Sequence, residues 1–599
     1  MNFPAVQYAL KGFFQTFSRF PAALAMAGLS CVTAWVMVDL PHPIVVWTEL
    51  LLSLQLGIAL FYSLALANER GSFPKVFRPA YVFLAGLVFV GVFFYFLSGK
   101  SDFDYKDRYI HWLFMTLLFI SFAPYLRSGE TNGFWQFNKN LFIRLGVSSF
   151  YTGVLFLGIS IALAAVDKLL GIKVEEKVYQ YLWIFAGYFF WTTLFMGTTP
   201  VNYRELEDDK TYPKILKLFA QYALIPLVTV YFLILYAYMG KIVFTRQWPQ
   251  GWVSWLTSTA SVLGLVSFLL LYPAQEKEEN RWIKIYSKGF CAAALPLLVM
   301  LFIAVFKRVE QYGMTEHRYF LIVLAAWLAG IFIYFIFGRK PDIKMVPVTL
   351  VLAAILSSFG PWGAYSVSLS SQLKRLESAL ERNGAVAGGK IIKLEKELDW
   401  KERQQLSASL DYVVRYHGVG PLKKYFIQDL ASLEKKGKPW GSGYTAASVE
   451  LMGHMGQSYL SYWERDDRKT VSFSSDKSVF SVRGFDLAFR FKAYPVQLVK
   501  PAPEKEYLVV LDKKDQAFKI FKGKTFKIGV PLKSLNGGLA ARYPLSYNNN
   551  VPLEFMTLQA ENGSLAAKIC LERLSGKPKS GVKELEFNGG EGILLIREK

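Results

Sequence analysis

The densest group of chemically capable side chains is one connection, Lys307-Arg308-Val309-Glu310-Gln311-Tyr312-Gly313-Met314-Thr315-Glu316-His317-Arg318-Tyr319, set between two strongly apolar stretches. Arg308, Glu310, Tyr312, Glu316 and Arg318 are its candidate binding residues, suited to an anionic lipid headgroup or to docking the soluble region that follows. A structural reading competes. The preceding helix is expected to end at Tyr312 with Gly313 left-handed, Thr315 to cap the next helix, and Glu316 to sit at that helix's positive end. On that reading Arg308, Glu310, His317 and Arg318 form an interfacial ion-pair cluster that fixes a tight turn.

Other candidate chemistry is sparse. A proton- or ion-coupled transporter needs an acid or base well inside the bilayer, and only Glu49 approaches that position. Glu49 lies near an expected helix start, so snorkelling to the headgroups or a helix-start role is the simpler account. Asp39, in Asp-Leu-Pro-His-Pro, invites comparison with membrane glycosyltransferases that use lipid-linked sugars. The loop Asp39–Pro43 is too short for their substrate-binding segment, so an interfacial helix end is the default. His42, His111, His317, His417 and His454 are scattered without metal-ligand spacing. Glu450 and His454 read as a surface pair. Ser442 lacks the strand–turn–helix setting of a nucleophile. Cys31, Cys291 and Cys570 cannot frame a disulfide network or a cysteine metal site. No cofactor and no metal are expected, and the balance leans away from an enzyme.

The elements that must position these residues are mostly apolar. Of 599 residues, 53% are hydrophobic and 16% aromatic, and the mean hydropathy is +0.26. A span needs about 20 apolar residues. Eleven stretches answer: Pro21–Val38, Ile44–Ala67, Pro79–Ser98, Tyr109–Tyr125, Leu141–Val166, Tyr179–Thr198, Ile215–Met239, Trp252–Tyr272, Phe290–Phe306, Tyr319–Phe337 and Met345–Tyr365. Of these, Tyr109–Tyr125 and Phe290–Phe306 are the weakest. Pro21–Val38 reads as a retained first helix rather than a cleaved signal. The net charge of +22 fits topology signals and anionic lipid better than nucleic acid, for which no recognition motif exists. With the N-terminus inside, Arg70, Arg127, Arg144, Arg204, Lys284 and Lys344 join the richer inner set. Eleven spans then leave the C-terminal region outside the cytoplasm.

Beyond residue 365 the chain reads as soluble α+β. Residues 366–468 are expected helical: Ser371–Arg382, Lys401–His417, Pro421–Leu433 and Ala447–Trp463, with Gly384–Gly389 a flexible joint. In 469–599 short strands are expected at Thr470–Phe473, Val479–Val482, Asp486–Phe491, Glu506–Leu511, Ala517–Ile520, Thr525–Ile528, Leu565–Leu571 and Gly592–Ile596, as in a small β-sandwich or barrel.

The stretch Tyr312-Gly313-Met314-Thr315-Glu316-His317-Arg318-Tyr319 resembles the Y-G-x-T-E-x-R-Y pattern of a bacterial multi-pass membrane family, domain of unknown function 4153. The likeness continues through Phe359-Gly360-Pro361-Trp362-Gly363-Ala364 and Ser371-Gln372-Leu373-Lys374-Arg375-Leu376 but does not place the end beyond Thr470. It implies an inner-membrane protein of bacteria without an assigned activity. The expectation is a polytopic α-helical membrane protein of about eleven spans with an outer α+β domain. It would bind, sense or scaffold in the envelope, with the bilayer and an envelope protein or lipid headgroup as partners. Transport of an uncharged or lipidic substrate is the alternative, and lipid-linked glycosyl transfer a further one.

Overall fold

The computed structural model describes residues 4–41, 45–72, 79–97, 104–246, 252–276, 281–430, 433, 443–460, 471–475, 481–493, 507–523, 525–535, 539, 548–578 and 585–598. The chain forms two compact units. One comprises Met1–Ser378, Tyr412–Lys424 and Gln428–Tyr444; the other comprises Ala379–Asp411, Tyr425–Ile427 and Thr445–Lys599.

The first unit is helical. Its helices are α1 (Pro4–Arg19), α2 (Pro21–Asp39), α3 (Val45–Glu69), α4 (Pro79–Leu97), α5 (Asp104–Phe122), α6 (Thr131–Leu170), α7 (Glu176–Ile184), α8 (Trp191–Gly197), α9 (Tyr203–Asp208), α10 (Lys214–Leu218), α11 (Ile225–Thr245), α12 (Trp252–Leu271), α13 (Arg281–Tyr312), α14 (Glu316–Phe337) and α15 (Met345–Ser358). A helix satisfies its backbone donors and acceptors within the segment, which is the form that apolar runs of this length would need in hydrocarbon. Among the described residues, eight helical stretches are long and apolar enough to cross a membrane: Pro21–Asp39, Val45–Glu69, Ala80–Leu97, Thr131–Leu170, Lys214–Thr245, Val253–Gln275, Arg281–Tyr312 and Glu316–Phe337.

Three of the eleven expected spans fall short of that mark, each for a visible reason. Tyr109–Tyr125 lies in α5, which opens on Asp104, Lys106, Asp107 and Arg108 and gives way to a 3-10 turn at Ala123–Tyr125. Tyr179–Thr198 runs through a π-helical turn, Phe185–Phe190, between α7 and α8, as the counted Lys214–Thr245 does at Phe219–Leu224, but Tyr179, Gln180, Tyr181, Tyr188, Thr192 and Thr193 make it less apolar. In Met345–Tyr365 the helix stops at Ser358 after 14 residues, just before Gly360 at φ +77.

Small residues let the helices close on one another. On α12, a Cβ at Gly264 would stand 2.0 Å from the Phe290 ring of α13. That ring packs 5.4 Å from Phe232 and 5.3 Å from Phe332. At the helix ends, Arg19 holds both oxygens of Glu69 at 2.6 and 2.8 Å and reaches the Thr199 and Pro200 carbonyls. Glu49 is 2% exposed and follows the first turn of α3, so it is packed among the helices and neither reaches out to solvent nor stands in the helix's opening turn.

The helix α16 (Ala364–Arg382) runs through the expected Ser371–Arg382 segment, and α17 (Trp400–His417) matches its expected limits, with Gly418 left-handed at its end. Gly384–Gly389 contains a hairpin rather than a loose joint: β1 (Val386–Ala387) pairs with β2 (Lys390–Ile391) around Gly388 and Gly389, both at positive φ. Residues 420–430 form a 3-10 turn, Gly420–Leu422, then turns and bends, where a helix to Leu433 was expected; Leu433 itself is helical, and 431–432 lie outside the described residues. The helix α18 (Gly443–His454) ends before Gly456, short of Trp463, and residues 461–470 lie outside the described set.

The second unit carries β3 (Val471–Ser475), β4 (Leu487–Ala493), β5 (Tyr507–Asp512), β6 (Ala517–Lys522), β7 (Thr525–Pro531), β8 (Asn548–Val551), β9 (Thr557–Glu561), β10 (Leu565–Pro578) and β11 (Leu585–Glu598). Of the expected Val479–Val482 strand, residues 479–480 lie outside the described residues, and Ser481 and Val482 are not in a strand. One sheet has the order β4-β11-β10-β3-β8 with β9 also on β10; a second is β5-β6-β7. The two share a core in which Phe473, Phe518, Phe587, Leu571 and Leu594 are fully buried. The expected sheet-rich domain is therefore present, with strands of both sheets facing one core. A bulge between Leu571 and Arg573 lets β10 pair first with β9 and then with β3. Opposite it, a Cβ at Gly592 would lie 2.2 Å from the Cys570 carbonyl oxygen, so only glycine fits.

Candidate functional sites

The turn between α13 and α14 begins as expected, with α13 ending at Tyr312 and Gly313 at φ +74. Thr315 occupies the N-cap position in extended conformation, but its hydroxyl makes no capping bond. The turn is held instead from α16. Ser371 Oγ accepts from the Met314 N–H at 2.9 Å, and Gln372 donates to the Tyr312 and Met314 carbonyls at 3.0 and 2.9 Å. Arg375 donates to the Gln311 carbonyl and Arg318 to the Gly313 carbonyl at 2.6 Å. Among the described residues no ion pair joins Arg308, Glu310, His317 and Arg318, which corrects that expectation. Glu310 and His317 are exposed. The arginines meet carbonyls and the Tyr312 ring, because backbone left open by the sharp turn attracts donors.

Glu316 goes elsewhere. Its side chain is 6% exposed; Ser368 donates to Oε1 at 2.5 Å, Tyr412 donates to Oε2, and His417 Nε2 stands 3.2 Å from Oε1. A buried carboxylate costs several kcal/mol in practice unless donors surround it, and these provide them. Burial, with the carboxylate beside it, raises the Tyr412 phenol above the usual tyrosine range. Ser368 bonds the carboxylate and the Tyr365 carbonyl, so it is not arranged to pass a proton to the imidazole as a nucleophilic serine would. The arrangement is a clamp closing the start of α14 against α16 and the end of α17. Ser368, Tyr412 and His417 were not singled out from the sequence. Only the burial of His417, at the end of an amphipathic helix, sets it apart, and burial is a tertiary property.

The turn and its α16 anchors lie inside a family match. The family described as domain of unknown function (DUF4153) matches residues 23–382, more than half of the chain. The chain belongs to this family. Among curated proteins, the DUF4153 chain is 22% identical over 327 residues to an uncharacterised protein of Pasteurella multocida (strain Pm70), covering 54% of this chain and 53% of that one. It thus spans about half the length of the curated relative it matches. No solved structure matches it. Tyr412 and His417 lie past the family-matched residues, as does the whole β-rich part.

That β-rich part of the DUF4153 chain holds an open groove of 760 Å³ lined by β4 and β5 with Glu572 and Glu591. Among the described residues β4 ends the larger sheet and β5 ends the smaller one. The Phe489 and Tyr507 rings stack 6.0 Å apart across the groove. Arg490 pairs with Glu572 at 2.8 Å and Lys492 with Glu591 at 3.0 Å. The remaining sequence candidates have ordinary partners. Asp39 accepts from Lys177 at 2.9 Å and Tyr181 at 2.6 Å, as a helix end would. Among the described residues no three His, Cys, Asp or Glu gather as metal ligands.

Proposed function

We propose that this DUF4153 chain is a multi-pass protein of the bacterial cytoplasmic membrane that senses or scaffolds. On this reading its N-terminus is cytoplasmic and its β-rich domain lies outside, where it takes up an extended segment of an envelope protein. The groove bounded by two sheet-end strands supports this reading. An end strand offers an unsatisfied row of N–H and C=O groups, and a segment added there gains main-chain hydrogen bonds while alternate side chains enter the groove. Leu487, Phe489 and Leu508 would meet those side chains. Random peptides displayed on phage and selected on the full-length protein in nanodiscs test this. Peptides with alternating apolar positions should be recovered and should not bind the L487D/L508D protein. Equal binding to both proteins would defeat the reading.

Transport of an uncharged or lipidic substrate is a second reading, favoured by one observation. Among the apolar helices, Tyr109 donates to Gln55 at 2.5 Å and Gln55 to Tyr188 at 2.7 Å. Such a network among spans is also ordinary interhelical glue.

A further inference from the structure

We propose that Arg308, Arg318 and Arg375, gathered on the Gln311–Gly313 segment, form a site for a phosphate-bearing anion. The three come from α13, α14 and α16. The guanidinium carbons of Arg308 and Arg318 stand 5.9 and 5.7 Å from the same Tyr312 ring. Arg375 is tied to the Gln311 carbonyl next door. Arg308 and Arg375 are both among the charges acting on Arg318, and both oppose its own. Gathering like charges is unfavourable, and Glu316, which directs its carboxylate to Ser368, Tyr412 and His417 and makes no ion pair with these arginines, does not relieve it at contact. An anion seated among the arginines would. Each guanidinium carries five N–H donors in a fixed fork that matches phosphate oxygens. Arg318 gives one nitrogen to Gly313 and so is oriented without being used up. All three are half-buried, which weakens solvent screening while leaving them reachable.

The position suits the same chemistry. The turn joins two helices long and apolar enough to cross a membrane. If they cross, as the proposed function holds, it lies at headgroup depth, where lipid phosphates are. Tyr319, whose hydroxyl bonds the Trp362 carbonyl at 2.7 Å, adds aromatic side chains of the kind that settle there. The source of the phosphate is then a lipid headgroup or a soluble phosphate, and the two are separable. This inference is independent of the groove: it uses only residues of the helical unit.

The test uses the full-length protein in detergent with mixed micelles of phosphatidylglycerol and phosphatidylcholine, and counts retained lipids by native mass spectrometry. A parallel arm titrates inorganic phosphate against the quenching of intrinsic fluorescence. Preferential retention of phosphatidylglycerol is expected, falling about fivefold for R308Q, the change that removes no backbone hydrogen bond, and similarly for R375Q. R318K, which keeps the charge, should retain most of it. Phosphate saturation that is lost in the same variants, without lipid preference, would support the site and assign it to a soluble ligand. Equal retention of both lipids with no response to phosphate overturns the site, as does preference unchanged in well-folded R308Q. Extraction of the protein from membranes by alkaline carbonate would instead defeat the spanning reading and leave the phosphate arm to decide the site.

Discussion

The polar turn at Tyr312–Glu316 is held by single atoms, and single changes there should be costly in definable ways. Gly313 combines φ +74 with a Gln372 Nε2 that would lie 2.7 Å from any Cβ. Gly313→Ala therefore meets backbone strain and a displaced hydrogen bond together, and should lower stability by about 1–3 kcal/mol. A thermal melt in detergent would read this as a lower Tm, whereas Gly153→Ala, with nothing within 4 Å, should be neutral. Tyr412 gives a pH signature. Its phenol titrates above the unfolded value, raised by burial and by Glu316. The folded state therefore holds the proton more tightly, and this contribution is complete below about pH 10 and lost as pH rises toward the folded value. The Tm of the native protein should thus fall above about pH 10 more steeply than that of Tyr412→Phe, which has no proton to lose. Parallel slopes in the two proteins would mean that the buried phenol is not part of the clamp.

At the level of elements, close approach matters more than charge. Because a Cβ at Gly264 would enter the Phe290 ring, Gly264→Ala must push α12 from α13 or turn a ring wedged between Phe232 and Phe332. Overpacking of this sort costs about 1–3 kcal/mol, measurable by urea or thermal unfolding in micelles. In the β unit, Gly592→Ala faces backbone rather than a side chain, with Cys570 O at 2.2 Å, so the loss should be larger and should open the β10–β11 pairing to hydrogen exchange. Such elements were unevenly legible. Helix α17 was readable because Leu406, Leu410, Val413 and Val414 recur on one face and Gly418 stops it. Strands β4 to β7 were readable from alternation. Strands β8, with three asparagines, and β9 carry no such pattern and take their form from β3 and β10. In the turn, Gly313 announced its conformation, but which groups would satisfy the backbone depended on α16, 57 or more residues away. Spacing within a segment cannot show a partner of that kind.

For the whole molecule, the number of crossings decides the side of the β-rich domain. Among the described residues eight helical stretches meet the length and hydropathy a span requires, and an even number of crossings would return the chain to its starting side. The proposed outer location needs an odd number, and the three shorter segments expected to cross are where the count is settled. α5 carries four charges in its first five residues, so it would have to place that turn among the headgroups. The α7–α8 stretch keeps its hydrogen bonds through a π turn, so only its continuity is locally altered. α15 has 14 residues, short of the apolar layer unless the bilayer thins or α15 sits at the interface. Fusions of a reporter active only outside the cytoplasm, placed after Leu126, Pro200, Phe359 and Lys599, resolve each in turn. If all eleven cross from an inner N-terminus, signal should be absent at Leu126 and Pro200 and present at Phe359 and Lys599. Loss of signal at Lys599 would put the β-rich domain in the cytoplasm, and the extended partner sought for its groove would then have to be sought there, whatever the groove binds.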